Sequence, residues 1–431
     1  MEGFFRQSGD VFVIGNGLVE REYRFHDGRL ETVALSDPRR GRRWQARPAA
    51  FPELYYDGLT GRRVSRGSRE EVEAFPLELA DVSWSRIADS FYSAARLEVV
   101  FTLVDAWRGL TLRRRVSVFE GVAAVRSLVE VRSANAPLGD FHAPLTRRNL
   151  LDAVPLPPGA DVVSWEFFTR SDRTNTFVER RDAPRGVDRG SLLRVRQPSG
   201  AGLFVLKEAP CFSDQRPEAD GNFIVDDDRV EVLGWGMRPE EIAGTTFLVS
   251  HASVVGLFDG SDDDFLVALK EYQAARAAWK PGRDAVVLAN PWGEGNLYQL
   301  MGESFVAAEL AAAAELGATH YQLDDGWESG TLVELVQNRL VDKAFWRPGA
   351  THFPRGLDAV VREARRHGVA FSLWFCPSFE RLYRNWEEQA GILLELYRRH
   401  GIRRFKIDGM QLRTKEAEDN LERLLRRVRD G

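Results

Sequence analysis

Three times in the last third of this chain a helical pattern stops at a glycine and an apolar run follows. The joints are Leu316-Gly317, His367-Gly368 and His400-Gly401, each leading into a segment suited to a buried strand. Glycine just past the last helical turn can take the left-handed conformation that closes a helix. Helix and strand in strict alternation imply a parallel sheet, because parallel neighbours need a long crossover between them. The pattern predicts strands at 285–289, 319–323, 369–375 and 402–408, and helices at 302–316, 357–367, 386–400 and 415–429. The run Ala285 to Ala289 is continuously apolar, as expected of a strand buried on both faces. Four βα units are expected where a closed barrel has eight. The reading is therefore the first half of a (β/α)8 TIM barrel, truncated within the barrel.

The preceding residues keep a different period. Leu97, Val99, Phe101 and Leu103 alternate with residues facing the other way, and Leu110, Leu112, Val116 and Val118 do the same, with Arg114 interrupting that face. Leu193, Val195 and the run 203–206 continue the theme around the turn Pro198-Ser199-Gly200, and Asn16-Gly17 and Asp27-Gly28 suit tight turns. Many short strands without long helices between them predict a large antiparallel sandwich. Near 259–264 a Gly-Ser-Asp cluster opens an Ala-rich helical stretch that Pro281-Gly282 ends. The expected organisation is a β-sandwich domain at 1–255, a helical linker at 256–283 and a partial barrel domain at 284–431.

Composition excludes several classes of partner. Among 431 residues, 59 basic and 64 acidic side chains are well mixed, so nucleic acid is not an expected partner. No apolar run is long enough to span a bilayer, and the stretch Met1 to Arg6 lacks the apolar core of a signal peptide. Cys211 and Cys376 are far apart in sequence, so neither a disulfide framework nor a zinc knuckle is expected. A soluble, cytoplasmic protein that needs no cofactor and no metal fits these facts, with self-association left open.

Chemistry gathers where the predicted parallel strands end. Arg404-Phe405-Lys406-Ile407-Asp408-Gly409 delivers a lysine and an aspartate to the carboxyl end of its strand, the end where barrel enzymes keep catalytic groups. Lys406 and Asp408, two apart, share a face. Tyr321 to Trp327 repeats the plan with Asp324, Asp325, a glycine and an aromatic. Paired acids accept hydrogen bonds from sugar hydroxyls and an indole offers an apolar ring, so a carbohydrate site is one reading. A strand-end salt bridge and a solvated Asp-Gly turn are the plainer ones. The long loop from Gly326 to Arg355 carries Trp346, Arg347, His352 and Phe353, suited to lining such a pocket. Trp292 and Trp374 fit either pocket or core, and Cys376, with no histidine partner indicated, reads as a small packed hydrophobe.

Taken in order, Asn290-Pro291-Trp292, Leu323 to Trp327, Phe353 to Leu357, Leu373-Trp374-Phe375 before Pro377, and Phe405 to Asp408 resemble glycoside hydrolase family 36. The resemblance covers about 284–410 and is loose before that. It implies an N-terminal β-supersandwich followed by a catalytic (β/α)8 barrel. It also implies a retaining α-glycosidase of α-galactosidase type, acting on an oligosaccharide or glycoside by double displacement. By the same resemblance Asp408 matches the nucleophile, Lys406 a sugar-binding lysine, and Asp324 and Asp325 the pair that holds galactose hydroxyls. Trp374 would help wall the pocket, beside the apolar ring that the residues themselves offer at Trp327, and the acid/base residue would lie beyond Gly431. The sequence departs from the family motif at Ile407, Gly409 and Met410, and has Ser378 after Pro377, which bears on galactose specificity. A transglycosylase of raffinose-synthase type and a non-catalytic carbohydrate-binding relative are the alternatives.

Overall fold

The computed structural model describes the chain apart from residues 48–50, 67–68, 91, 136–148, 170–175, 184, 216–220, 243, 245, 331–342 and 380. The chain divides into two compact units, Met1–Trp279 and Lys280–Gly431.

The first unit is dominated by antiparallel sheet. Strand Arg96–Asp105 buries every second side chain, and its partner Leu110–Phe119 sets Leu112 opposite Leu103 and Val116 opposite Val99. Both belong to a nine-stranded sheet. A five-stranded meander from Phe4–Ser8 to Arg42–Gln45 and a four-stranded sheet with Arg229–Leu233 at its interior add side chains to the same core. Phe12, Tyr23, Phe101, Val129 and Val232 meet there. Sheets that are apolar on one face bury it against each other, which is the physical basis of a sandwich. The Asp27-Gly28 turn joins Glu20–His26 to Arg29–Asp37 with positive φ at both residues, as a two-residue hairpin of this hand requires.

Arg114, which breaks the apolar pattern, stays inside. Its guanidinium donates to Glu53 Oε2 and Asp152 Oδ1, both at 2.5 Å, and to Ser127 Oγ at 3.1 Å. Arg21 donates to the same Asp152. Two cations and two carboxylates thus compensate one another where no water reaches, the condition under which buried charge is tolerated. The helix expected within the linker, Asp262–Arg276, belongs to this first unit. Ser261 and Asp264 form its capping box, and Phe265, Leu269 and Tyr272 pack on Phe204, Val254 and Phe258 of the nine-stranded sheet.

The second unit carries four parallel strands in chain order: β1 (Leu288–Ala289), β2 (His320–Leu323), β3 (Ala370–Phe375) and β4 (Phe405–Ile407). Helices α1 (Glu303–Glu315), α2 (Leu357–Arg366) and α3 (Trp386–His400) make the crossovers, and α4 (Lys415–Asp430) follows β4. Gly317, Gly368 and Gly401 each have φ between 71° and 77°, so the three joints close in the left-handed conformation. Tyr321, Leu323, Leu373 and Phe375 form the core beneath these helices. The expectation that 285–289 is a strand buried on both faces is corrected. Only Leu288 and Ala289 pair, Pro281–Asp284 is a helical turn, and Val287 is 58% exposed. The strand is an edge, bonded to β2 on one side, so its outer face lacks the neighbours that burial needs. Among the described residues no helix is long and apolar enough to cross a membrane.

Candidate active site

Parallel pairing aligns the carboxyl ends of the four strands. Leu323 lies beside Leu373, and Trp374 beside Lys406. The residues just past each strand therefore gather at one sheet end. Lys406 Nζ stands 3.0 Å from Asp324 Oδ2 and 3.4 Å from Asp408 Oδ2, so one ammonium bridges the ends of β2 and β4. Asp324 is buried and also accepts from Asn290 Nδ2 at 2.6 Å and from the Asp325 amide at 3.0 Å. With an acceptor set so filled, Asp324 is fixed in place.

Asp408 is different. Its side chain is half exposed, and both oxygens are held: the Trp374 indole donates to Oδ2 at 3.0 Å and the Gly409 amide to Oδ1 at 2.8 Å. Partial burial pushes its pKa up, but these two donors and the Lys406 charge outweigh burial and hold it below the usual aspartate value. The group is therefore an anion at neutral pH, oriented and open to solvent on one side. Gly409 has φ +63°, and a Cβ there would meet Cys376 Sγ at 2.5 Å. Only glycine lets the chain turn that tightly over the thiol. Burial, then the charges of Asp408, Asp325 and Glu328, push the Cys376 thiol up to about 12, which leaves it protonated and unreactive.

Asp325 accepts from Tyr298 Oη at 2.6 Å. Burial, and then the hydrogen bond to Asp325, push the Tyr298 hydroxyl above its ordinary range, so it donates as a neutral phenol. Trp292 is 53% exposed, with its ring centre 5.5 Å from Lys406 Nζ. An exposed indole beside a lysine and two carboxylates is suited to a ligand with an apolar face and several hydroxyls.

No family model and no curated protein matches this sequence. Solved structures do. A GH36 α-galactosidase variant from Geobacillus stearothermophilus in complex with 1-deoxygalactonojirimycin superposes with a TM-score of 0.63 at 14% identity, over 97% of this chain and 70% of that one. The GH36 α-galactosidase AgaB from the same organism gives 0.64 at 14%, over 100% and 70%. A further variant of the first enzyme, in complex with raffinose, gives 0.61 at 15%, over 97% and 70%. The chain has a GH36-like fold.

Within that GH36-like fold, the sequence candidates divide by position. Asp324, Lys406, Asp408 and Trp374 are linked by the contacts above, and Asp325 sits beside Asp324. Trp327 is corrected: it is fully buried, donates its indole N–H to the Trp374 carbonyl at 3.0 Å and packs against Trp346. The turn at Gly326 sends it inward, so it supports Trp374 from below and presents no ring to a ligand. Of the long-loop candidates, Trp346 and Phe353 are also buried, and His352 is engaged by the Met301 carbonyl. Arg347 lines a separate cavity of about 380 Å³ with Lys343, Glu395 and Arg399. Residues 331–342 of that loop lie outside the described residues. Sequence reasoning did not single out Asn290, Tyr298 or Glu328 as site groups. Asn290 was visible as the residue ending a strand, whereas nothing local marks Tyr298 or Glu328.

Glu328 is the least expected of these. It is 5% exposed, and both its oxygens face the Gly326 amide at 3.2 and 3.3 Å. Burial, followed by its hydrogen bond with Asp325 and that neighbour's charge, pushes Glu328 up to about 9.

Proposed function

We propose that this chain is a retaining α-glycosidase of α-galactosidase type, with Asp408 as its nucleophile. The observation that carries this reading is the single ammonium of Lys406 bridging Asp324 and Asp408, which brings an anchored carboxylate and an oriented, solvent-facing one to the same sheet end. On this reading, residues 1–255 serve as the supersandwich domain and 284–431 supply four βα units of a (β/α)8 catalytic barrel.

In the first step an Asp408 oxygen attacks the anomeric carbon as the bond to the leaving group breaks, giving a glycosyl ester; a departing sugar oxygen takes up a proton from a general acid, whereas fluoride leaves as the anion. Water then attacks the same carbon and gives up a proton, the bond to the Asp408 oxygen breaks to restore the carboxylate, and the sugar leaves with its original configuration after two inversions. Lys406, Asp324 and Asp325 bind hydroxyls of the galactose-like unit, Trp292 flanks its apolar face, and the buried Trp374 backs the pocket with its indole on Asp408. The low pKa of Asp408 suits this role, since the nucleophile must be ionised before the sugar arrives.

The test uses a substrate whose leaving group needs no proton. A 5-fluoro-α-galactosyl fluoride should label the protein once, and peptide mass spectrometry should place the label on Asp408. Asp408→Asn should reduce labelling by at least about a thousandfold, the scale expected when a covalent nucleophile is removed. A label on another residue, or equal labelling of the variant, would remove Asp408 from the role.

A further inference from the structure

We propose that Tyr298 is a specificity-determining residue of this site: its one hydroxyl hydrogen is committed to Asp325, so its oxygen is an acceptor that takes a hydrogen from one hydroxyl of the sugar. The inference rests on the glycosidase reading for the sugar, and on geometry alone for the acceptor.

Tyr298 lies outside every motif that marked the site in the sequence. It stands on the helical turn Leu297–Leu300, anchored by the buried side chains of Leu297 and Met301. The ring is held at two places. A Cβ on Gly326 would come within 3.1 Å of Tyr298 Cδ1 and 3.4 Å of Cε1, so the ring edge lies close over that glycine. The hydroxyl meets Asp325 Oδ2 at 2.6 Å, the length of a strong bond from a hydroxyl to a carboxylate. A carboxylate only accepts, so the hydrogen belongs to the tyrosine oxygen and points at Asp325. What the phenol has left is lone pairs.

Exposure then separates the groups that a ligand meets from those that hold them. Asp324 is 1% exposed and Asp325 4%, whereas Tyr298 is 41% exposed. Asp324 holds Lys406 and Asp325 holds Tyr298, so each buried aspartate orients one more exposed group. The two exposed groups are opposite in kind. The Lys406 ammonium only donates, while the Tyr298 oxygen, its hydrogen already engaged, only accepts. A sugar hydroxyl satisfies Tyr298 by donating to it. A ligand carrying hydrogen or fluorine in place of that hydroxyl leaves the oxygen unpaired, the situation in which a polar site discriminates most strongly.

Calorimetric titration of the full chain with D-galactose and its monodeoxy and monodeoxyfluoro analogues tests this, with wild type compared to Tyr298→Phe. The phenylalanine keeps the ring over Gly326 and removes only the oxygen. At one ring position the wild type should bind both the deoxy and the fluoro analogue at least about tenfold more weakly than galactose. Tyr298→Phe should bind galactose about tenfold more weakly and lose discrimination at that position alone, with its preferences elsewhere on the ring unchanged. An equal loss for every sugar, which a merely structural role would give, overturns the proposal, and so does unchanged galactose affinity. A fluoro analogue that the wild type retains at the affected position overturns it too, because fluorine can accept from Tyr298 but cannot donate to it. Carbon-13 NMR of side-chain carboxyl groups, without sugar, checks the commitment to Asp325 separately. The Asp325 carbon should move in Tyr298→Phe while the Asp324 carbon stays, and an unmoved Asp325 carbon overturns the commitment. Failure of Tyr298 in these tests with Asp408 still labelled by the fluorosugar leaves the glycosidase reading intact, whereas absence of binding by every sugar overturns the ligand role of Tyr298.

Discussion

Replacing Lys406 by Met removes the ammonium that bridges Asp324 and Asp408 and keeps most of the apolar stem. The cost follows from the geometry. At 3.0 Å, the attraction to Asp324 is about 1.4 kcal/mol in water and about 5.5 kcal/mol at an effective dielectric constant of ~20. Asp324 is 1% exposed but Lys406 is 31% exposed, so water screens one end of the pair and the upper figure must be discounted. The contact to Asp408 adds little, because that carboxylate is half in solvent. What remains is mainly the cost of leaving a buried carboxylate with amide donors only, about 2–3 kcal/mol. For a unit of this size each kcal/mol lowers Tm by about 2–4 °C, so scanning calorimetry should show a fall of about 5–10 °C at pH 7. Asp324→Asn in the Lys406→Met background should then cost at least about 1 kcal/mol less than in the wild type, since the ion pair is already gone. A Tm within 2 °C of wild type, or strict additivity of the two changes, would refute the claim that this pair holds the strand ends together.

Other outcomes follow from the same contacts. Trp374→Phe deletes the indole donor to Asp408, so the acid limb of fluorosugar labelling should move to higher pH while the neutral-pH rate changes by less than about tenfold; an unmoved limb would deny the indole a part in holding Asp408 ionised. Gly409→Ala should destabilise by about 1–2 kcal/mol through its positive φ, and Cys376→Ala should recover part of any further loss by removing the sulfur that the new Cβ meets; thermal unfolding of single and double variants reads both. In the sandwich, Lys207 donates to Gln215 and Asn222 and is pushed by burial down to about 7. The unfolded chain then binds the extra proton between about 7 and about 10, so stability should climb with pH across that window in denaturant titrations, and Lys207→Met should flatten the climb.

Local pattern carried the architecture. Alternation at Leu97 to Leu103 picks out one face of a strand whatever lies opposite, and the left-handed conformation at Gly317, Gly368 and Gly401 is a property of the helix end itself. The spacing of Lys406 and Asp408 put both on one side of β4, and they meet at 3.4 Å. All of this depends on residues within a few positions of each other, and so it is legible in the sequence. Burial and partnership depend on residues far apart in the chain, and only the tertiary structure decided them. Lys406 finds Asp324 across 82 positions and Trp374 reaches Asp408 across 34. Arg114, an apparent flaw in a strand, is completed by Glu53 and Asp152 from other strands and loops. Ala285 to Val287 read as a buried strand, yet an edge position gave them no neighbours on one side. Trp327 and Glu328 adjoin the paired aspartates, and a turn at Gly326 sent both inward, one as packing and the other as a buried carboxyl group against the Gly326 amide. A side chain's chemistry is set by its type, but its proton, its charge and its access to a ligand are set by what the fold brings against it.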